Sequence, residues 1–554
     1  MRRSDPPTAG TRPRLGAGRR VPLGTVLGAL GLLALVLVGL GGGALSGRRR
    51  RRGEDLPAPA PRRARARLRV GLSAGVCALA LLAVALVGVG GGAELRPIPV
   101  AVSVDWADPG PPVPTNFLGL SFEVSSLSRI AGYAHSGDLI TLLRSLGPGV
   151  LRFGGVSADT RVAWTDAANA RVPWASGVVE EGDFRQLASL AQQSGWHVML
   201  TLGLDHYEPI AAAREAAAAK AALGGWLEGI EIGNEPDAYA QHSIRPEPWT
   251  FMQYESEIAA YRDAIEAAAP GIPLAGPDTS GSGAFEAWGL GEVINEQPAM
   301  LTGHHYPLGC SQQPPPSIGR LLSPQTRAME LGSLGRYMSI SRASEIPFRM
   351  DEANTVSCGG VPGISNTFAS ALWAVGYLPQ AMSMGVSAVN LQGNPGNCQG
   401  YSPICAPTPE ALAEGALRAQ PEWYGLLLLK QLIGDRPLGT STRSRFHPNL
   451  AITTFLRGDG ALQFVIADDD PPGAHNLAVH LRVGSGFAGA SILSLTAPTP
   501  AATSGVVLGG QTVAPDGSWS EPSGLPGAAD SRGVVTVQIP PSSAALVSVP
   551  RSAG

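Results

Sequence analysis

Between Val113 and residue 437, strand-like and helix-like stretches alternate along the chain. Eight short apolar runs have the length and composition of buried strands, at 117–122, 149–153, 197–202, 227–233, 272–276, 300–305, 347–352 and 386–391. Helical patterns separate them, and one has Phe251, Tyr254, Ile258 and Tyr261 at spacings of three and four residues. Because eight strand–helix units in roughly 250–320 residues are typical of a (β/α)8 barrel, we predict an α/β fold built on such a barrel at 113–437.

The pattern changes after residue 437. Short alternating apolar runs such as LAITTFL, ALQFVIA, LAVHLRV and GVVTVQI are separated by Gly, Pro, Asp and Ser. Alternation over short runs with turn residues between them is typical of antiparallel strands. We therefore predict a C-terminal antiparallel β-sandwich at 438–554.

Two apolar runs, 21–45 and 70–93, dominate the first 96 residues, and each is long enough to cross a bilayer core, which takes about 20 residues. The linker between them is rich in arginine and proline, and the positive-inside rule keeps such a linker in the cytoplasm. We therefore predict that 1–96 is a membrane or export region and that the chain beyond Ala93 lies outside the cell membrane. Two arrangements stay open: a membrane hairpin, or a later start codon with the second run as the only export signal, in which Gly91 and Ala93 are small enough for signal-peptidase cleavage.

The cysteines are consistent with export. Cys77 lies in the second apolar run, which leaves an even number of four in the part of the chain expected to fold. Cys398 and Cys405 close a short loop, so we predict that they form a disulfide, with Cys310 and Cys358 as the remaining pair. Metal binding is the alternative, but no CxxC or histidine spacing accompanies these cysteines.

The charge balance argues against nucleic acid as a partner. The net charge is −3, with 15% charged and 44% hydrophobic residues, and the basic residues that cluster do so near the N-terminus. No basic face for nucleic acid follows from that balance. The abundance of Ala, Gly, Arg and Pro suggests a high-GC bacterial gene.

The stretch GIEIGNEPDAY, 229–239, places a carboxylate at the end of the predicted fourth strand. Glu231 and Glu235 share one strand face, and Pro236 ends the strand directly after Glu235. Asn234 is placed to hydrogen-bond a hydroxyl group of a ligand. An isolated Asn-Glu-Pro turn also fits a solvated carboxylate, so the functional interpretation depends on a second carboxylate.

That second carboxylate is Glu352, in the predicted seventh strand of IPFRMDEANTVSCGG. Alternation places Met350 and Glu352 on one face and Asp351 on the opposite face, where we expect a structural role toward the outer helices. Paired carboxylates at barrel strand ends are what cleavage of a glycosidic bond requires, roughly 5–5.5 Å apart in retaining enzymes. We assign the acid/base role to Glu235 and the nucleophile role to Glu352.

Six blocks then resemble a known family. They are GLSFE (119–123), LRFGG with Asp159 (151–159), EIGNEPDAY (231–239), GHHYP (303–307), DEANTVSCGG (351–360) and EWYGLLLLKQLIG (422–434). Together they resemble glycoside hydrolase family 79, the β-glucuronidases and heparanase, within the clan A retaining glycosidases. The resemblance runs from about Val100 to the C-terminus. It implies that a strand from 97–112, PIPVAVSV, completes the C-terminal sandwich.

The resemblance also implies residues that contact the sugar. Tyr306 would hydrogen-bond the nucleophile, although a core tyrosine with a satisfied hydroxyl fits the sequence as well. The backbone N–H groups of Gly359 and Gly360, with Tyr401, would bind the carboxylate of a uronic acid. A side chain added at Gly360 would then obstruct the ligand with little effect on folding, whereas a glycine required only by the turn would lose stability on the same substitution.

Other residues of these blocks have less definite roles. Glu123 and Asp159 match positions near the family's sugar pocket, but either could simply cap a loop. Arg152 could support a carboxylate inside the barrel. His304 and His305 could donate hydrogen bonds that support the site, and of the two interpretations we favour a packed histidine pair.

The sequence therefore predicts an exported, membrane-anchored or secreted, retaining exo-type β-glucuronidase. It needs no metal and no organic cofactor, and its partners are a uronic-acid glycan or glycoside and the membrane. A clan A enzyme acting on a neutral sugar is one alternative. A non-catalytic surface glycan-binding protein is another, and the presence of both Glu235 and Glu352 counts against it.

Overall fold

The computed structural model describes residues 96–167, 170–487 and 489–552. They belong to one compact unit, Ala93–Gly554. The strands in chain order are β1 (Ile98–Asp105), β2 (Leu118–Glu123), β3 (Val150–Gly154), β4 (Val162–Thr165), β5 (Gly177–Glu180), β6 (His197–Leu202), β7 (Leu227–Ile232), β8 (Ala275–Thr279), β9 (Met300–His305), β10 (Phe348–Ala353), β11 (Ala388–Gly393), β12 (Ile404–Cys405), β13 (Arg418–Ala419), β14 (Arg436–Arg443), β15 (Leu450–Leu456), β16 (Leu462–Asp468), β17 (Leu477–Arg482), β18 (Ala490–Thr496), β19 (Val507–Leu508), β20 (Leu525–Gly527), β21 (Val534–Ile539) and β22 (Ser543–Val549).

The helices lie between the strands of the first part of this unit. They are α1 (Leu127–Gly132), α2 (Leu139–Leu146), α3 (Val156–Thr160), α4 (Glu181–Ser194), α5 (Pro209–Leu223), α6 (Phe251–Ala268), α7 (Ser282–Asn295), α8 (Ile318–Leu321), α9 (Pro324–Ser344), α10 (Phe368–Met384), α11 (Pro409–Glu414) and α12 (Pro421–Leu429).

Eight parallel strands form a barrel in the order β7-β6-β3-β2-β11-β10-β9-β8. A bridge between Ile230 and Leu274 joins β7 to β8 and so brings the two ends of the sheet together. Outer helices bury one stripe of side chains against the strands, and in α6 that stripe includes Tyr254, Ile258 and Tyr261, as the three-and-four spacing predicts. The predicted (β/α)8 barrel is confirmed.

One strand lies three residues later than predicted. The fifth barrel strand was expected at 272–276, but β8 begins at Ala275 and ends at Thr279. Pro273 has no N–H group to donate to the strand ladder, which delays the start of regular pairing. As a consequence the GPDTS segment, with Asp278, belongs to the end of a barrel strand.

The second large sheet contains ten strands in the order β19-β18-β22-β16-β15-β14-β1-β17-β21, with β20 beside β18. All of its pairs are antiparallel except β1 with β17. The run LAITTFL forms β15, and the run LAVHLRV contains the whole of β17. β1 precedes the barrel in the chain and lies between β14 and β17, so the barrel is inserted between two neighbouring strands of the sandwich.

The ten-stranded sheet folds into two layers. The apolar interior between the layers includes Val100 of β1, Val479 of β17 and Phe464 of β16. The first layer consists of β19, β18, β22, β16 and β15. On its other face, Phe455 and Val465 pack into the same core as the barrel and its helices. The second layer, β14-β1-β17-β21, therefore has its outer face directed away from the barrel.

Both predicted disulfides are present. Cys310 and Cys358 join the loops that follow β9 and β10, with their Cα atoms 6.0 Å apart. Cys398 and Cys405 close the loop that follows β11, with a Cα separation of 5.4 Å. Since all four sulfur atoms are in bridges, the alternative of a cysteine metal site is wrong. The bridges restrain three loops at the carboxyl ends of the barrel strands.

The two N-terminal apolar segments expected to enter the membrane, 21–45 and 70–93, lie outside the described residues. Within the described ranges, no helix combines the length and apolar character needed to cross a bilayer.

Candidate active site

Glu235 and Glu352 lie at the carboxyl ends of β7 and β10 and face each other across the barrel mouth. One carboxylate oxygen of each, together with Nδ1 of His304, forms a group whose atoms lie within 4.8 Å of one another. The Glu235 side chain is 27% exposed and that of Glu352 is 9% exposed. Glu235 is therefore accessible from solvent, whereas Glu352 is recessed.

The structure corrects the prediction for Asp351. The register of β10 against β9 shifts between Met350 and Glu352, so Asp351 is the extra residue of a β-bulge. The bulge breaks the alternation, and both consecutive carboxylates point into the barrel. Asp351 is fully buried, and its Oδ2 lies 3.3 Å from Arg152 and 3.4 Å from His304, so it does not face the outer helices.

Arg152, on β3, occupies the centre of the site. All five N–H groups of its buried guanidinium have acceptors, and the acceptors with their distances are Glu231 (3.1 Å), Ser121 (3.3 Å), Glu352 (2.7 Å), Asn234 (3.1 Å) and Asp278 (2.8 Å). The planar fork of arginine can direct bonds to several oxygens at once, which lysine cannot do. The expected support of a carboxylate by Arg152 is thus present, and it includes the carboxylate of Glu352.

The carboxylates around Arg152 outnumber its single charge, and their pKa values reflect that imbalance. Burial and the charge of Asp351 raise the pKa of Glu231 to about 7, although Arg152 lowers it. Burial and the charge of Asp278 likewise raise the pKa of Asp351. The folded protein therefore favours at least one protonated carboxyl group in this cluster near neutral pH.

His304, at the end of β9, links the two halves of the site. Nδ1 lies 2.8 Å from Oε1 of Glu235, and Nε2 lies 2.7 Å from Oδ1 of Asp278. Burial acts to lower the pKa of His304, but the charges of Asp278, Glu352 and Asp351 raise it well above its usual value. The imidazolium in turn lowers the pKa of Glu235, against the effect of burial.

The interpretation of a packed histidine pair is wrong. His305 points away from His304, stacks on Tyr377 with ring centroids 5.0 Å apart, and has Nε2 3.5 Å from Glu330. The two histidines alternate along β9, so only His304 faces the barrel interior.

Two tyrosines complete the surroundings of Glu352. The Tyr306 hydroxyl donates to Oε1 of Glu352 at 2.7 Å, while Arg152 donates to Oε2. The Tyr401 hydroxyl lies 3.2 Å from that of Tyr306, and the two rings stack. Both oxygens of Glu352 are therefore held in one orientation.

The backbone at the site adopts a rare conformation at two carboxylates. Glu235 has φ +50° and Asp278 has φ +51°, both in the left-handed region that non-glycine residues seldom adopt. A hydrogen bond of 3.0 Å from Glu235 N to Asp278 O ties them together. Such strain occurs where surrounding contacts enforce it, and functional sites are common among those places.

Sequence reasoning missed Asp278 and underestimated Glu231. Asp278 was hidden because the fifth strand was placed three residues too early. A strand ending at Thr279 would have shown a third strand-end carboxylate. Glu231 lies on the same face of the predicted strand as Glu235. Because Glu235 was expected to face the barrel interior, the pattern already indicated that Glu231 does so too.

Three predicted binding residues differ in how they reach the cleft. Asn234 accepts a bond from Arg152, as described above, and is 7% exposed. Glu123 accepts bonds from the backbone N–H of Ser157 at 2.9 Å and from its hydroxyl, and burial raises its pKa, with a contribution from the charge of Glu352. Asp159 is 1% exposed and accepts from the N–H groups of Leu204 and Asn234, so it positions the loop and does not line the cleft.

The glycine pair has a packing role that sequence alone did not show. Gly359 and Gly360 have φ +87° and +85°. The Gly359 carbonyl accepts from Tyr401 N at 3.1 Å, and a Cβ on Gly360 would lie 2.4 Å from that same nitrogen. A side chain at Gly360 would therefore disrupt the loop that carries Tyr401, and the expectation of a small effect on folding is wrong.

Two groups of side chains have metal-ligand spacing: Glu235, His304 and Glu352, and Asp278, His304 and Asp351. Their donor atoms already have partners. The Arg152 guanidinium lies between the carboxylates of the second group, and the oxygens of Glu352 accept from Arg152 and Tyr306. These residues fit a hydrogen-bonded carboxylate pair better than a set of metal ligands.

A parallel barrel whose fourth and seventh strands end in facing carboxylates has the architecture of the clan A glycoside hydrolases. No protein-family model matches the chain.

Among curated proteins, the chain is similar to β-glucuronidases of two fungi. Identity is 28% over 209 residues with that of Aspergillus niger, covering 34% of this chain and 38% of the relative. With the β-glucuronidase of Neurospora crassa the identity is 25% over 266 residues, covering 43% of this chain and 46% of the relative. The chain thus spans less than half the length of either relative, and neither supports the bacterial origin suggested by composition.

Solved structures share the fold at low identity. A 4-O-α-L-rhamnosyl-β-D-glucuronidase from Fusarium oxysporum superposes with a TM-score of 0.64 at 19% identity, covering 81% of this chain and 100% of that one. A GH51 arabinofuranosidase from Xanthomonas axonopodis superposes with a TM-score of 0.60 at 14% identity, covering 82% of this chain and 100% of that one. These likenesses establish the barrel and sandwich.

Replacing Arg152 with Met should destabilise the protein strongly, by about 3–5 kcal/mol, because it leaves buried carboxylates without a cation. A carboxyl group whose folded-state pKa lies above its unfolded value contributes stability at low pH and loses it as pH rises. Glu231, with a pKa of about 7, is such a group, and loss of Arg152 raises its pKa further. The destabilisation should therefore grow between pH 5 and 8, as measured by the melting temperature.

Arg349→Met is the matched control. Arg349 is 2% exposed and pairs with Glu228 at 3.0 Å. Burial raises the pKa of Glu228, but bonds from His197 and Arg349 lower it overall, so this pair should lose stability only below about pH 4.5. Equal pH dependence of the two variants would contradict the proposed charge balance around Arg152.

Proposed function

We propose that this protein is a retaining β-glycosidase, most specifically a β-glucuronidase of glycoside hydrolase family 79. The observation that carries the proposal is the approach of Glu235 and Glu352 to within 4.8 Å at the mouth of the barrel. Retaining enzymes hold their carboxyl groups roughly 5–5.5 Å apart, whereas inverting enzymes leave space for a water molecule at roughly 6.5–9.5 Å. The similarity to fungal β-glucuronidases supports the choice of substrate class.

In the first step, an oxygen of Glu352 attacks the anomeric carbon as the bond to the leaving oxygen breaks. Glu235 gives its proton to that leaving oxygen. The hydrogen bonds from Arg152 and Tyr306 fix the orientation of Glu352. The product of this step is a glycosyl ester on Glu352 and a free aglycone alcohol.

In the second step, Glu235 acts as a base. It accepts a proton from a water molecule whose oxygen attacks the anomeric carbon, and the ester bond to Glu352 breaks. The greater exposure of Glu235 suits this role, because both the leaving group and the water must reach it. The anomeric configuration of the substrate is retained.

His304 is a positioning residue that also controls the proton on Glu235. In the free protein its charge favours the ionised form of Glu235, so the proton needed for the first step is held across the 2.8 Å contact between the two. The bond to Asp278 fixes the ring in a single orientation. Transfer of a proton from Nδ1 to Oε1 gives a neutral imidazole and the catalytic acid.

Tyr401 and the Gly359 loop are the proposed contacts of the uronate carboxylate. Burial raises the pKa of Tyr401, as does the charge of Glu352, while hydrogen bonding with Tyr306 and with the Gly359 backbone acts to lower it. The Tyr401 hydroxyl and the Gly359 backbone are therefore neighbours, close to Glu352. A carboxylate there would accept from donors that a neutral hydroxymethyl group leaves unpaired.

Export of this enzyme through the arginine-flanked apolar segments is part of the proposal. Its support from the structure is the pair of disulfides, which form and persist in oxidising compartments.

A 2-deoxy-2-fluoro glucuronide should label Glu352 covalently, because retention passes through a glycosyl ester. Peptide mass spectrometry of the labelled protein identifies the modified residue. Asp351→Asn is the matched control, since it alters the adjacent inward-facing carboxylate and should leave Glu352 labelled. Labelling at another residue, or inversion of the anomeric centre seen by NMR, would refute these roles.

Replacing His304 with Gln should move the basic limb of the kcat/KM profile to lower pH. In the wild type the proton used in the first step is held by the pair of Glu235 and His304, and neighbouring carboxylates raise the pKa of His304 well above its usual value, so the pair keeps that proton to high pH. A lone Glu235 carboxyl group would lose it at lower pH. The profile is measured with an aryl glucuronide. Tyr306→Phe, which removes the bond to Glu352 and leaves His304 in place, should leave the basic limb in place. A limb that stays or moves up in His304→Gln would exclude the proposed control of the proton.

Replacing Tyr401 with Phe should lower kcat/KM for an aryl glucuronide about 10- to 100-fold, since a hydrogen bond to a charged group is worth about 1.5–3 kcal/mol. The matching glucoside should be hydrolysed poorly by both proteins. Tyr377→Phe, outside the cleft, is the control and should change neither rate. Efficient hydrolysis of the glucoside by the wild-type protein would favour the neutral-sugar alternative, with the retaining mechanism intact.

A further inference from the structure

The outer face of the sandwich carries a long groove whose floor is β1. Alternate residues of β1 face opposite sides, so Val100 enters the interior while Pro99 and Ala101 face outward. Toward β14 the groove has a volume of about 740 Å³, and toward β17 and β21 it has about 670 Å³. Both halves are lined by Ala101 and His480, so they are continuous across the sheet.

Strand register places basic side chains on both sides of this floor. Ala101 pairs with Arg443 of β14 and with His480 of β17. Because neighbouring strands lie about 4.8 Å apart, Arg443 and His480 are about 10 Å apart across the groove. Arg482 follows His480 on the same face, two residues further along β17.

The charge of the groove is opposite to that of the unit that carries it. The part of the chain before Arg96 contains sixteen of the 41 Lys and Arg residues and four of the 44 Asp and Glu residues. The chain from Arg96 onward therefore has 25 basic and 40 acidic side chains, which give it a formal charge of −15. The groove nevertheless has no carboxylate in its lining, which includes Arg443, Arg445, Arg482 and Arg532.

Three of these arginines have no acidic partner. Arg532 pairs with Asp530 at 2.8 Å. Within the described residues, Arg443, Arg445 and Arg482 form no ion pair and are exposed. Arginine side chains left free inside a carboxylate-free groove can bind anionic groups, and arginine does so in a bidentate manner.

One exposed aromatic ring lines the groove, and a second belongs to the loop that borders it. Phe446 lies between the lining residues Arg445 and His447, is 49% exposed, and has the Arg445 guanidinium over its ring at 4.7 Å. Trp106 lines the other half, is 41% exposed, and packs against Phe487 with ring centroids 6.0 Å apart. Flat exposed rings beside cations suit a ligand that has an apolar ring face and a negative substituent, which is the chemistry of a uronic acid residue.

We propose that this groove is a second binding site for an acidic polysaccharide, a polymer of uronate residues, on the side of the sandwich away from the barrel. The choice of a uronate ligand rests on the proposed function, while the site itself rests on the groove. The charge of −15 repels any polyanion, and a duplex nucleic acid fits less well because its one charge per about 1.7 Å is a higher density than the single carboxylate on each sugar of a uronate polymer. A flat membrane surface would not reach the recessed floor at Ala101.

Such a site would hold a polymer chain on the enzyme while its end enters the barrel cleft. Tethering raises the local concentration of chain ends without any new contact at the catalytic residues. The groove should therefore affect polymeric substrates and leave small aryl glycosides unaffected.

The test compares three full-length proteins in neutral detergent: wild type, Arg443→Ala/Arg445→Ala/Arg482→Ala, and Arg185→Ala/Arg214→Ala/Arg336→Ala. The last three arginines are exposed on the barrel helices in surface ion pairs, so the control loses the same charge outside the groove. Binding of polygalacturonate is measured by titration in 50–200 mM salt and located by hydrogen exchange. The arginine-rich N-terminal linker is the same in all three.

The wild type and the control should bind polygalacturonate with protection of 99–106, 440–450 and 478–484, and the groove variant should lose that protection and bind at least 10-fold more weakly. All three should hydrolyse a small aryl glucuronide equally. Protection outside these segments, an equal loss in the control, or equal protection by single-stranded DNA or anionic vesicles would overturn the proposal. Groove-dependent binding without glucuronide hydrolysis would instead refute the proposed activity and leave the binding site standing.

Discussion

The centre of the barrel depends on one buried guanidinium group. Arg152 directs its five N–H groups to side chains on β2, β7, β8 and β10 and on the loop after β7. Its charge makes the burial of several carboxylates tolerable, since an unpaired buried carboxylate would cost several kcal/mol. The same group fixes one oxygen of Glu352. Stability of the barrel interior and orientation of the proposed nucleophile therefore have a common origin.

Much of the fold and the central pair could be predicted from the sequence, because local signals decide them. Strand-length apolar runs define the barrel, and a proline or glycine break after a carboxylate marks the strand ends at Glu235 and Glu352. Asp351 could not be predicted, because a bulge reverses the direction that alternation assigns. His304 could not be placed either, because its partners Glu235 and Asp278 come from strands that meet it only when the barrel closes.

The glycine pair shows the same limit in another form. Glycine occurs both where a turn requires its backbone angles and where a ligand approaches the backbone, so the residue type alone does not separate the two roles. Only the distance from Gly360 to the backbone of Tyr401 shows that the position is occupied by the protein itself. The loop after β10 and the loop after β11 are therefore packed together as one structure, and the two disulfides restrain both.

The position of β1 has a consequence for the synthesis of the protein. Ile98 pairs with Leu477, so a strand made before the barrel waits for partners made after it. Until then Val100 and Val102 cannot be buried. The long chain segment between β1 and β17 must close first, and strand pairing can offset the entropy cost of that closure only afterwards. During translation, the nascent chain would carry a free strand edge of the kind that chaperones bind and that promotes aggregation. A chain that ends within the barrel would therefore leave the apolar face of its own first strand exposed.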